Sequence, residues 1–573
     1  MGGVFGAAGR LPPSVGEALK NDFEVTWGSC EVQNVPGGII GGHASPPAKA
    51  LHEIDGSHVA VDGEFAIYRD PTCGRGTTVS VGPDRWQIAT DWSGTFPLYY
   101  AQTAEGVIFS SRQRPLAQIL GASADLAGVR QFVNDGHMRG GRSFFTNIHR
   151  LRPGQVLTYH LRARESSISE TSEAWVGIRE APLPQLAETA WAAVYDAVGR
   201  SEALDVPNAL MLSAGWDSRT LLAAMRPQID DLLYYTHGDL QSRELRLLRR
   251  LVGPTARHHE ESLADAYDLN ALQRGFDRIE NVLFPEWLRA GEVLSQRGVK
   301  CVSAGVYGEI LGGHYGTTMV LSGRRKMAAL LKELWGRGED VDVDPATFVR
   351  LPEGLPSYLN RDAWPDTIVD EVNQDIDAAF TRLRNRGVST NSQLLEAFIS
   401  ESRGTQYING QLLACRAFTD VSLPFADREA LLIASQIPIK TKVHNFVNRE
   451  ILRQHDPGLL RTATAATLVP ASYPIAVQEA TRAARRGYGN VRWKVHHATG
   501  RRAEAPRFGW MILEFLRSGE FLDALVSDLR SDLWNKSALQ KQVADIKSCQ
   551  PGTRAGVKTH VFLRAYTVDL MLR

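Results

Sequence analysis

Apolar and polar positions divide the chain into stretches with different rhythms. Short apolar runs at 107–110 and 155–159, bounded by Gly and Pro, predict strands of a layered α/β domain over residues 1–171. Residues 172–184 read as a connector, and 185–204 as a helix leading into a central strand. That strand is the run Ala209-Leu210-Met211-Leu212, short enough to be fully buried. It breaks into the small-residue turn Ser213-Ala214-Gly215-Trp216-Asp217-Ser218, and Thr220 to Met225 then reads as a helix packed back on the sheet. Residues 231–238 repeat the pattern as a second parallel strand and its exit. Strand–turn–helix units in succession predict a doubly wound parallel sheet over 185–500. The tail mixes basic helices with an amphipathic stretch, Trp510 to Leu516, and predicts a helical extension over 501–573. The fold class expected is therefore α/β, a layered N-terminal domain followed by a parallel-sheet domain.

The turn after the central strand carries candidate chemistry. A small-residue loop at a helix N-terminus turns backbone N–H groups and about half a positive charge toward one point, which suits an anion. Ser213 and Ser218 add hydroxyl donors, and Gly215 permits close backbone approach. Asp217 is out of place beside a phosphate unless a cation lies between them, which marks it as a Mg²⁺ ligand. The same residues also suit a plain strand-to-helix turn capped by Ser and Asp. The patterns GxGxxG and GxxxxGK[ST] are not matched here.

Composition narrows the class without naming it. The 573 residues suffice for two or three domains, and 43% hydrophobic with 22% charged residues is ordinary for a globular protein. Lys+Arg and Asp+Glu balance at 64 each, so no global field draws in nucleic acid or a membrane. Basic patches are local, as at Arg482 to Arg486 and Arg501-Arg502. The absence of a long apolar run and of a basic-then-apolar start argues against a membrane span and a signal peptide. Five scattered cysteines, Cys30, Cys73, Cys301, Cys415 and Cys549, lack CxxC spacing and suit reduced thiols in a cytoplasm.

The turn Ser213–Ser218 resembles the pyrophosphate loop S-G-G-x-D-S of the ATP-pyrophosphatase superfamily, and within it the asparagine synthetase family, with Ala214 at the first glycine. Further motifs follow in order on both sides. Met1-Gly2-Gly3-Val4-Phe5-Gly6 resembles the M-C-G-I-x-G start of glutamine-dependent amidotransferases, whose exposed Cys is the nucleophile. Here Gly2 has no side chain with which to attack. Asp62 to Tyr68, Asp91 to Tyr100 and Ile148 to Gly154 resemble later segments of that domain. Full synthetases carry more chain before the first of these, including the glutamine-binding loops. The resemblance thus implies a degenerate amidotransferase-like (Ntn-hydrolase-like) lid over 1–171, without catalysis of its own.

In the second part Ser303-Ala304-Gly305-Val306-Tyr307-Gly308-Glu309 resembles S-G-x-G-x-D-E. Without a gap, Gly308 falls on the metal-binding Asp; a shortened loop instead sets Tyr307-Gly308-Glu309 against the Y-G-x-D of β-lactam synthetases. In either register Glu309 is the carboxylate available for a second Mg²⁺ contact. Ser242-Arg243-Glu244 keeps the Glu of a D-E pair and loses the Asp. Thr419 to Asp427 and Arg449 to Arg453 resemble V-E-x-R-x-P-F-L-D and K-x-x-L-R, with Arg449 at the Lys. Arg461 to Thr464 lacks the Lys that steadies adenylate and pyrophosphate in relatives, and Arg449 is one candidate replacement. Glu401 stands where some relatives use an acid to deprotonate the amine, and is otherwise an exposed salt-bridging Glu; Tyr307 faces the acceptor or is a packing aromatic.

What the resemblance implies is ATP with Mg²⁺, nucleotide contacts from Leu212, Ser213, Gly215, Trp216, Asp217, Ser218, Thr236, His237 and Gly305, metal contacts from Asp217 and Glu309, and catalytic candidates Arg449, Glu401 and Tyr307. A carboxylate is adenylated and an amine then displaces AMP, giving an amide. Three readings are open: intramolecular ring closure, as in lasso-peptide cyclases (on a precursor peptide) and β-lactam synthetases; intermolecular amidation of an acid with ammonia or an amine; and a nucleotide-binding pseudoenzyme scaffold. The oligomeric state is left open, with a homodimer among the options.

Overall fold

The computed structural model describes every residue except 1, 46–47, 203–205, 239, 241, 255, 263–265, 316–327, 329–330, 333–343, 466, 500–518 and 549–558. The stretch Trp510 to Leu516, Arg501, Arg502, Cys549 and the side chain of Arg486 lie outside the described residues.

The N-terminal part is a sandwich of two antiparallel sheets. Its strands are β1 (Gly2–Gly9), β2 (Glu31–Val35), β3 (Gly38–Ala44), β4 (Leu51–Ile54), β5 (Ser57–Gly63), β6 (Gly76–Val81), β7 (Arg85–Ala89), β8 (Tyr99–Thr103), β9 (Gly106–Ser110), β10 (His149–Arg150), β11 (Gln155–His160) and β12 (Glu165–Glu170). They order as β10-β8-β9-β1-β3-β2 and β12-β11-β7-β6-β5-β4. The two-residue period of a strand sends neighbours to opposite faces. In β1, Val4 enters the core between the sheets with Ile40, Val79, Trp86, Phe109 and Leu157. Phe5 turns the other way, onto the helix Pro13–Trp27, where its ring lies 4.7 Å from that of Phe23.

The second part is built on five parallel strands, β13 (Asn208–Met211), β14 (Leu233–Gly238), β15 (His258–Ser262), β16 (Cys301–Ala304) and β17 (Asp420–Ser422), ordered β15-β14-β13-β16-β17. Leu210 pairs with Tyr234 on one side and Ser303 on the other. The helices Leu183–Glu202, Trp216–Met225 and Phe446–His455 pack as one group, and Pro285–Gln296 with Asn409–Cys415 as another, against β16 and β17. The fold is thus mixed α/β, a layered domain followed by a parallel-sheet domain.

Details differ from the sequence expectation. The strand β13 stops at Met211, and the following helix starts at Trp216 rather than Thr220, which places Asp217 in its first turn. His258 and His259, which no sequence pattern marks, open strand β15; the segment HHEES has no apolar run, and only pairing with β14 makes it a strand.

One apolar cluster runs unbroken from Phe5 and Phe23 through Leu210 and Leu222 to Tyr566 of the C-terminal helix Thr559–Leu572. Buried ion pairs tie the two parts together, Arg416 to Asp62 at 2.6 Å and Arg75 to Glu64 at 2.6 Å. Among the described residues no helix is long and apolar enough to cross a membrane.

Candidate functional site

The chain builds β13, β14 and β15 outward in one direction, then returns to lay β16 and β17 on the other side of β13. The exits of β13 and β16 therefore diverge at a topological switch point, where open parallel sheets hold their ligands. Gly305 and Gly308 let the two exits press together: an added Cβ would stand 2.7 Å from the Ser218 amide nitrogen at Gly305 and 2.6 Å from Asp217 Cβ at Gly308.

This contact brings Asp217 and Glu309 side by side. Burial, then the Glu309 charge, holds the Asp217 carboxyl well above the usual carboxylate range, and burial raises Glu309 as well. Asn448 Nδ2 donates to Asp217 Oδ1 at 3.2 Å, while Glu309 Oε2 is buried without a hydrogen-bond partner. Two carboxylates, one with an orphaned oxygen, fit a hard divalent cation that draws its remaining ligands from phosphate and water. Among the described residues no group of three or more His, Cys, Asp or Glu is gathered, so this pair is the acidic donor set on offer here.

The loop beside the pair is pinned by its own hydroxyls. Ser213 Oγ lies 2.9 Å from Ser218 Oγ and accepts from the Gly215 amide at 3.2 Å. Gly215 caps the helix Trp216–Met225 in extended backbone with no side-chain cap, so neither Ser213 nor Asp217 serves as the plain capping residue. The Ala214 amide donates to Glu244 Oε1 at 3.2 Å, so this N–H already faces an oxyanion, supplied by the next helix Arg243–Val252.

Arg449 reaches the loop from the helix Phe446–His455. Its guanidinium lies 5.6 Å from the centre of the Trp216 ring, one nitrogen donates to Tyr473 O at 3.0 Å, and Nη1 is buried without a partner. Asn448, one residue earlier, also accepts from Thr220 Oγ1 at 3.1 Å; no local pattern distinguishes it along the chain. Arg219 was likewise unmarked. It is fully buried on the loop helix and donates to the carbonyls of Leu459, Thr462 and Ala463 at 2.8, 2.8 and 2.6 Å, with burial drawing it down to about 10.

At the exit of β14 the predicted residues divide. The Thr236 hydroxyl donates to Leu212 O at 2.9 Å, and the Leu212 amide donates to Tyr235 O at 2.8 Å, so these groups hold β13 to β14. His237 is edge-on to Trp287 at 5.4 Å, and burial lowers it to about 4, which makes it a neutral ring at ordinary pH with Nδ1 unpartnered.

On the acceptor side, Tyr307 and Glu401 are both held by their surroundings. Tyr307, at φ +68°, is 1% exposed, and its ring lies so close to Gly404 that a Cβ there would stand 2.7 Å from Cε2. Burial raises its phenol, and it is a packing aromatic. Glu401 lies in a π-helix, Ser400–Ile408, and is a salt-bridging residue, though not an exposed one. Its nearly buried carboxylate is held by Arg386 at 2.7 Å and by Arg382, and faces a cavity between the two parts of the chain. Lys442 is no substitute for the missing lysine, being fully buried on Glu396 at 2.6 Å.

At the N-terminal end Gly2 is hemmed in. An added Cβ would stand 2.0 Å from Tyr68 Oη and 2.7 Å from His43 O. Tyr68 is fixed by Asp62 at 3.1 Å and Arg416 at 2.9 Å, and Ser111 donates to the same carboxylate at 2.7 Å. This cluster fills the space a side chain at Gly2 would need.

A scan against protein-family models finds none that matches this chain, and a search of curated proteins finds no relative. Among solved structures, an allosteric regulatory enzyme of purine biosynthesis is similar at 9% identity, covering 45% of this chain and 80% of its own, with a TM-score of 0.21. The glutamine phosphoribosylpyrophosphate amidotransferase from B. subtilis, complexed with ADP and GMP, is similar at 10% identity, covering 53% of this chain and 81% of its own, also with a TM-score of 0.21.

Proposed function

We propose that the chain is an ATP-dependent, AMP-forming amide ligase of the asparagine-synthetase type that works without glutamine hydrolysis. The observation that carries the reading is the meeting of Asp217 and Glu309 at the switch point, beside a small-residue loop that opens a helix. In this reading a substrate carboxylate oxygen attacks the α-phosphorus of ATP, the bond to the bridging oxygen breaks, and pyrophosphate leaves. An amine then attacks the acyl carbon, and AMP departs with the electrons of the acyl C–O bond.

The loop amides with Ser213 and Ser218 would take the pyrophosphate oxygens. Arg449, with its unpartnered Nη1 beside Trp216, would supply the fixed cation there. Asp217 and Glu309 would hold Mg²⁺, which neutralises charge on the leaving pyrophosphate when bound. Glu244 would release the Ala214 amide as phosphate arrives. With Gly2 blocked by Tyr68, the amine comes from the substrates themselves. Ring closure within one molecule is favoured by the likeness of Tyr307-Gly308-Glu309 to the Y-G-x-D of β-lactam synthetases.

The test is nucleotide turnover with a panel of amino acids and short peptides that carry both an acid and an amine. Acid-dependent release of pyrophosphate and AMP, lost in Asp217→Ala, is the expected result. Tight nucleotide binding without pyrophosphate release across the panel would instead favour a nucleotide-binding scaffold.

A further inference from the structure

A cavity of about 250 Å³ lies in the seam between the sandwich and the helix Ile368–Asn385, with the π-helix Ser400–Ile408 as its far wall. One side is apolar, from Met138, Pro153, Ala379 and Phe398. The other is cationic: Arg139, Arg150, Arg152 and Arg382, four guanidinium groups against the two carboxylates of Asp375 and Glu401. Arg150 also lines two neighbouring cavities of about 110 and 280 Å³, so it stands where the three meet.

Pairing across the seam is uneven and, among the described residues, leaves Arg150 without a carboxylate partner. Glu401 is taken by Arg382 and Arg386, and Asp375 by Arg142 at 2.6 Å. Glu170, in the adjoining cavity, is taken by Arg152 at 2.8 Å and Arg382 at 3.0 Å. Arg150 meets only carbonyl oxygens, of Gly94 at 2.9 Å and Thr95 at 3.4 Å. Arg139 is 6% exposed; it donates to Asp135 through one nitrogen and leaves Nε and Nη1 buried with no acceptor. The Asp135 carboxylate meets the charge of Arg139, so the cation of the seam that has only carbonyl dipoles to offset its desolvation is Arg150. Burial also pulls the Arg150 guanidinium below its ordinary value.

We infer that this seam cavity binds a small organic anion, with a carboxylate or phosphate headgroup on Arg150 and a short apolar body against Met138, Ala379 and Phe398. The volume is below the ~300–1,000 Å³ usual for small-molecule sites, which limits the ligand to a compact one. The inference stands apart from the ATP chemistry, because its residues lie on the side of the π-helix where Glu401 faces the sandwich.

Calorimetry on the full chain without nucleotide tests it, with hexanoate, hexyl phosphate and neutral hexanol as probes. One or both anions should bind saturably and hexanol should not; whichever anion binds more tightly identifies the headgroup. Arg150→Met should weaken that binding by about tenfold, the loss expected for a charged hydrogen bond. Should Arg150→Met fail to fold, Ala379→Trp decides, since it fills the apolar wall from a half-buried helix position and should abolish binding with the circular dichroism unchanged. Equal binding of hexanol and hexanoate would overturn the inference. So would no saturable binding of either anion below about 10 mM, or unchanged binding in the folded variants.

Discussion

The pair Asp217 and Glu309 shows how a single residue can be costly to the fold and useful to the site. Two carboxyls buried against each other without a cation repel, and both are pushed toward the protonated form. Glu309→Gln should therefore raise the melting temperature of the nucleotide-free protein while lowering Mg²⁺-dependent pyrophosphate release by at least about a hundredfold, the trade-off expected of a strained functional site. Differential scanning calorimetry and a coupled pyrophosphate assay check the two halves. Glu401 gives the opposite expectation. Because it braces Arg382 and Arg386, Glu401→Gln should lower the melting temperature and leave turnover within about threefold. A collapse of turnover in a variant of unchanged stability would restore Glu401 as the base.

Among the elements, those carrying their own signal could be read from sequence, and those made by distant contacts could not. Strand β13 and its turn were legible because an apolar run ending in small residues has few other uses. Strand β15 was not, since its polar residues form a strand only by pairing with β14. The placing of Asn448 beside Asp217 and of Arg219 on the 459–463 carbonyls joins residues more than two hundred positions apart, which no local pattern records. Nor did the sequence reveal that the π-helix turns Glu401 to the seam and sets Gly404 against Tyr307. Arg219→Met should cost on the order of 3 kcal/mol, because three carbonyls lose their donor, and should loosen the loop helix against 459–463. Denaturant unfolding measures the first effect and hydrogen exchange over 216–225 and 459–463 the second. A variant as stable as the parent would show that those carbonyls find water without loss.

Across the whole molecule the two parts are joined by one apolar cluster and by buried polar contacts, so the sandwich braces the parallel-sheet domain. Burial, opposed by Arg75 and Ser422, lifts the Glu64 carboxyl from 4.5 to about 7. Between those values the folded chain keeps a proton that the unfolded chain has released. Stability from this group is thus full below about pH 4.5 and falls as pH rises toward 7. Glu64→Gln should flatten that slope in urea titrations across the window, and an unchanged slope would contradict it. The filled space at Gly2 gives a further expectation: Gly2→Cys should not hydrolyse glutamine, read as glutamate release, because the added atoms meet Tyr68 and His43. Most direct for the central claim is the identity of the nucleotide products, followed by phosphorus NMR while amide forms from an accepted substrate. The account predicts one AMP and one pyrophosphate per amide, with neither formed by Asp217→Ala; ADP and inorganic phosphate as the products would contradict it.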